Sequence, residues 1–153
     1  MSDVDLLTRE LARSGLTPGD VPHWTLVTGA QATVDLGRGE GQKIHCDCIK
    51  IPYHDLDGSP IMDAGLPFAR HRLLQTQVVI GGKYLSRPGS GGHIYVPPRL
   101  RELLASMADA DKYLAVTDGE KEAEALVKAG VPAVGLAGIT LWHDVAAHQA
   151  AQE

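Results

Sequence analysis

The sequence predicts a mixed α+β or α/β fold, in which a β-rich N-terminal part is joined to a Rossmann-like βαβ layer. Three observations carry this. Tyr113 to Gly138 reads as strand, acidic turn, helix and second strand, the pattern of one right-handed βαβ unit. Residues 24–98 are rich in glycine, proline and alternating apolar positions, which is a β-sheet signature. Residues 3–14 place Val4, Leu7 and Leu11 on one helical face, with Gly15 as a stop.

Taken in order, the chain divides into an N-terminal helix (1–20), a β-rich region (21–98) and a βαβ segment (99–153) that forms one compact unit with the region before it. The β-rich region offers six strands: Thr25–Thr28, Thr33–Leu36, Lys43–Ile51, Phe68–Leu74, Val78–Tyr84 and His93–Val96. Asp57-Gly58 lies between apolar runs and signals a hairpin turn. Pro97-Pro98 closes the region, and Leu100–Ala108 follows as a linking helix. In the βαβ segment, Gly119 can supply an unusual backbone angle at the turn. Ala123, Leu126 and Val127 share a helix face, and Gly130 is a left-handed cap. Leu141–Glu153 reads as a terminal helix.

Composition narrows the function classes. The 153 residues suffice for one domain, or one with a small satellite, and 44% hydrophobic with 22% charged residues describes an ordinary soluble chain. No apolar run reaches the length of a membrane helix, and the polar N-terminus lacks the basic and apolar regions of a signal peptide, so the cytoplasm is the expected setting. Cys46 and Cys48 have neither the redox nor the zinc spacing. A net charge of −5 argues against a generally basic nucleic-acid coat. The average hides an asymmetry. Residues 51–105 hold six cationic against four anionic side chains, and residues 106–153 hold three against eight. A basic middle beside an acidic end suits contact with phosphate through one part and with a metal through the other, and equally suits plain surface variation.

The acidic turn has two readings of its own. Asp118 follows a strand at the carboxyl end, where ligands bind in open α/β sheets. Glu120, Glu122 and Glu124 oppose the helix dipole but repel a bare phosphate, so a hard divalent cation held by carboxylate and water is the natural ligand. The alternative is that Asp118 simply caps the helix. Elsewhere, His45, Cys46, Asp47, Cys48 and His54 are metal-ligand types, but a strand splits them between two faces. Asp55 and Asp57 resemble part of a calcium loop without its later ligands. Gly81-Gly82-Lys83 and Gly89-Ser90-Gly91-Gly92 lack the P-loop form and read as hairpin connections. Lys83, Arg87 and His93 around them, with Arg70 and Arg72, are candidates for phosphate contact. Tyr53, Tyr84 and Tyr95 could stack on bases or pack in the interior. No nucleophile motif supports a Ser/His/Asp or Cys/His arrangement.

Several short pieces, in order, resemble a toprim-like family of plasmid and phage replication proteins associated with primase and helicase modules. They are Ser14-Gly15-Leu16, the run from Ile51 to Gly58, Arg70-His71-Arg72-Leu73, the run from Lys83 to Gly91, the run from His93 to Pro98, Thr117-Asp118-Gly119-Glu120-Lys121-Glu122-Ala123 and Gly135-Leu136-Ala137-Gly138. The resemblance implies a partial toprim-like layer with Asp118 in the place of the toprim acid, normally glutamate, and Glu120 beside it as candidate catalytic residues. It also implies magnesium at Asp118, and DNA or RNA as partner together with a replication helicase or primase chain. The family's later Asp-x-Asp metal motif would lie beyond Trp142, where only Asp144 and Glu153 are acidic. Three functions stay open: a nucleic-acid-binding module that is catalytically incomplete, a magnesium-dependent primase- or nuclease-type phosphotransferase, and a non-catalytic interaction protein. So does the question of whether the chain is an N-terminal half or a short protein without the metal site.

Overall fold

Antiparallel pairing organises the first part of the chain and parallel pairing the last, giving a mixed α+β fold. The computed structural model describes residues 2–75 and 83–137. They fall into two compact units assembled from non-contiguous chain: Met1–Pro52 with Pro67–Ser90, and Tyr53–Leu66 with Gly91–Glu153.

The first unit is built on a four-stranded antiparallel sheet. Its order is β1 (Thr25–Val27), β2 (Cys48–Pro52), β5 (Ala69–Leu73) and β6 (Tyr84–Leu85). Residues opposite one another share a face of the sheet. Val27, Cys48 and Leu73 therefore lie on one side with Lys50, His71 and Leu85. Helix α2 (Gly29–Asp35) buries Ala32 there, and Leu36, just past its end, packs into the same cluster with Ile44. The other side carries Ile49 and Ile51 with Arg72 and Arg70 opposite them. Helix α1 (Asp3–Ala12) starts at a Ser2–Asp5 capping box. It ends in a Schellman motif: Leu16 N–H donates to Leu11 O, Gly15 at φ +72° donates to Ala12 O, and Leu11 and Leu16 are both buried.

Two expected strands come out differently. Thr33–Leu36 is not a strand, because α2 runs through it. Thr28 Oγ1 accepts from Gln31 N–H at 3.2 Å, Thr33 Oγ1 donates back to Gly29 O at 2.7 Å, and Ala32 and Leu36 bury the i, i+4 face. The β-branched Thr33 and Val34 imitate a strand locally, while capping and burial select the helix. Of Lys43–Ile51 only the stretch from Cys48 onward pairs. The expectation at Val78–Tyr84 falls mostly outside the described residues, with Tyr84 opening β6. The terminal helix at Leu141–Glu153 lies wholly outside them.

A short hairpin of β3 (Met62–Asp63) and β4 (Leu66–Pro67), turned through Ala64 and Gly65 at positive φ, lies where the chain passes from the second unit back to the first. In the second unit Asp57-Gly58 forms the expected turn. Asp55 Oδ1 accepts from Asp57 and Ser59 N–H, Gly58 adopts φ +91°, and His54 bridges Pro60. Hydrogen bonds, first from Ser59, pull the Asp57 carboxyl down to about 2. Helix α3 (Leu100–Ala105) follows Pro97-Pro98 as expected, and Leu100 packs with Val127, Ala133 and Val134. Strands β7 (Ala115–Asp118) and β8 (Ala133–Leu136) pair in parallel, with α4 (Glu120–Lys128) as their connection. Gly130 at φ +89° ends α4 in a second Schellman motif, with Val131 N–H bonded to Leu126 O. The expected strand His93–Val96 reduces to one residue, Tyr95, which exchanges both backbone hydrogen bonds with Gly135 at 2.8 and 2.9 Å.

Candidate functional site

The turn between β7 and α4 is the centre of the site. Asp118 is the last residue of β7 and is exposed, and the residue that starts α4 is Gly119, at φ +100° with no side-chain cap. The capping role considered for Asp118 is therefore not the one it plays. Gly119 donates its N–H to Leu136 O at 2.7 Å, which ties the turn to the end of β8. Below it, Gly135 passes so close to the Gly119 carbonyl that a Cβ there has no room. Glu122 folds its carboxylate back over the Gly119 Cα.

The other glutamates do something the charge pattern concealed. Glu120 and Glu124 are only 1% and 0% exposed. They lie one helical turn apart with Ala123 and Val127, so the apolar face of α4 carries two carboxyl groups. Each receives a phenol: Tyr53 Oη donates to Glu120 Oε1 at 2.5 Å, and Tyr95 Oη donates to Glu124 Oε1 at 2.6 Å. The two rings meet edge to face, with centroids 5.2 Å apart. Arg99 Nη2 stands 3.8 Å from Glu124 Oε2. Burying a carboxyl group is costly unless it is hydrogen-bonded, and these tyrosines supply that bond. Tyr95 thus grips α4 through its phenol and β8 through its backbone, and the turn bearing Asp118 is held from both sides. Of the tyrosines weighed for base stacking, Tyr53 and Tyr95 belong to this buried set. The sequence signal for it was the i, i+4 spacing of Glu120 and Glu124 on the face of Ala123 and Val127.

As a metal centre, the described residues offer little. Among them no three His, Cys, Asp or Glu side chains gather at a point that a cation could occupy. Glu120 turns inward, and Asp118 stands as an exposed carboxylate at the strand end. The described donor set does not build a magnesium site. Nor do the cysteines build a zinc site. Both are free, and burial raises the Cys48 thiol to about 12, which keeps it protonated and a poor ligand. Asp63 accepts from His93 Nε2 at 2.5 Å and from Gly91 N–H at 3.0 Å, and the His93 bond in particular lowers its carboxyl.

Comparison with family models, with curated proteins and with solved structures gave no match to this chain.

The candidate phosphate-contact residues occupy very different surroundings. Arg72 is 7% exposed and donates Nε and Nη2 to Glu10 Oε1 of α1 at 2.9 and 2.5 Å. Arg70 is also buried, two residues along the same face, and both guanidinium groups lie over the Tyr84 ring at 4.5 and 5.1 Å. Strand alternation explains this, because β5 is an inner strand and its Arg70–Arg72 face is covered. His93 is engaged by Asp63. Lys83 is exposed, and Arg87 is half-buried beside Gly37, its Nη2 3.7 Å from where a Gly37 side chain would begin.

Proposed function

We propose that this chain is a toprim-like, primase-related nucleic-acid-binding module of a phage or plasmid replication system, catalytically incomplete in itself. The observation that carries the reading is the parallel β7–α4–β8 connection. It leaves Asp118 in solvent at the carboxyl end of β7 while Glu120 and Glu124 are drawn inside. Ligand sites in open α/β sheets lie at that end of the strands. The absence of a converging carboxylate set among the described residues favours binding over catalysis.

Lys83 and Arg87 are the candidate cations that stay accessible, and they are the ones assigned to the phosphate backbone. Fluorescence anisotropy with a labelled single-stranded oligonucleotide tests this. Lys83→Ala and Arg87→Ala each weaken binding by on the order of threefold to tenfold at low salt, uniformly across sequences. Affinity unchanged in both variants removes the assignment.

A further inference from the structure

The first unit contains an open cleft of about 550 Å³ between α2 and the chain leading into β2. That volume lies within the range of small-ligand sites. Its lining includes Arg38, Lys43 and His45, with Glu40 as the one acidic member. One wall is pinned, because Thr33 Oγ1 donates to Gly29 O and accepts from Ile44 N–H at 2.9 Å. Arg38 follows Gly37, whose φ of +63° turns the chain out of α2 and onto the cleft wall. The Nε of Arg38 is sealed from solvent and meets no acceptor among the described residues. With that atom covered by protein, an anion in the cleft meets Arg38 through the part of its guanidinium that lines the wall, beside Lys43 and His45, and a planar charged fork suits the geometry of phosphate. Glu40 does not cancel this, since it is exposed at the rim and pairs with Lys43 at 2.8 Å.

From this we infer that the cleft is a binding site for a phosphate group, carried either by a free nucleotide or by the backbone of a single strand. The second source rests on the nucleic-acid reading above; the first does not. The test is calorimetric titration of the full chain with inorganic phosphate, with adenosine monophosphate and with a short single-stranded oligonucleotide. Wild type, Arg38→Met, Arg38→Lys and Glu40→Gln are compared, with circular dichroism confirming each fold. At least one probe saturates on wild type, and Arg38→Met weakens it by about tenfold or more. Arg38→Lys keeps the charge but not the fork, and it also binds more weakly. Glu40→Gln, on an exposed side chain, tightens binding by on the order of threefold.

Binding of phosphate or the mononucleotide that depends on Arg38 identifies a nucleotide site, even where the oligonucleotide fails and the nucleic-acid reading falls. Dependence on Arg38 for the oligonucleotide alone identifies the strand backbone. Binding of every probe unaltered in Arg38→Met, or no saturable binding by any probe, overturns the cleft assignment. An oligonucleotide that still binds Arg38→Met normally leaves the nucleic-acid reading standing without it.

Discussion

Arg72 and Glu10 form a buried ion pair whose value lies in completeness. Both side chains are below a tenth exposed, and one carboxylate oxygen accepts two guanidinium N–H groups. Deleting Arg72 takes two guanidinium donors from a desolvated carboxylate, which keeps the exposed Arg13 at 3.5 Å. Arg72→Ala is therefore expected to lower unfolding free energy by about 3–5 kcal/mol in urea titration, whereas the double change to Met and Leu is close to neutral. Equal losses in the single and double variants would contradict a buried pair. His71, on the opposite face of β5, gives a pH signature. Burial lowers its pKa from the ordinary 6.5, against the opposing pull of Asp35, whose Oδ2 is 3.5 Å from Nε2. The unfolded chain then binds a proton that the folded chain refuses. Stability from neutral His71 is complete above about pH 6.5 and declines as pH falls below it. The urea midpoint is expected to drop between roughly pH 7 and pH 5, and His71→Phe to flatten that drop. A drop of the same size in the variant would assign it to other groups.

The β7–α4–β8 connection was the part of the fold most legible in advance, and the reason is local. The helical spacing of Ala123, Leu126 and Val127, the strand-length apolar runs and the two glycines each specify their own backbone without distant partners. Helix α2 was not legible. Thr33 and Val34 favour a strand, and what overrides them is burial of Ala32 and Leu36 against residues as distant as Leu73 and Leu85. The tyrosine–glutamate set was hidden for the same reason, since the spacing reveals a face but not the phenols that meet it 67 and 29 positions away in sequence. The closest backbone approach in the connection sits at Gly135. Gly135→Ala forces the Gly119 carbonyl aside and is expected to cost about 1–3 kcal/mol, measured as a fall in melting temperature. A variant as stable as wild type would mean that the turn and β8 do not press together as described.

Across the described residues, charge is sorted by depth as much as by sequence position. The basic middle suggested by counting contributes Arg70 and Arg72 to the covered face of a sheet and keeps Lys83 accessible. The acidic end contributes Glu120 and Glu124 to an interior and leaves Asp118 and Glu122 in solvent. Composition could not separate these, because burial of a charged side chain depends on partners such as Glu10 and Tyr53 that lie far off in the chain. A nucleic-acid-binding role then rests on few phosphate contacts, and few contacts mean a shallow salt dependence. The most direct test is titration of a labelled single-stranded oligonucleotide with the full chain across roughly 20–200 mM salt. The expected result is saturable binding, a log–log slope of small negative value, and a slope reduced in magnitude by about 1.4 when both Lys83 and Arg87 are replaced by alanine. No detectable binding at the lowest salt, or a slope untouched by those replacements, would contradict the account.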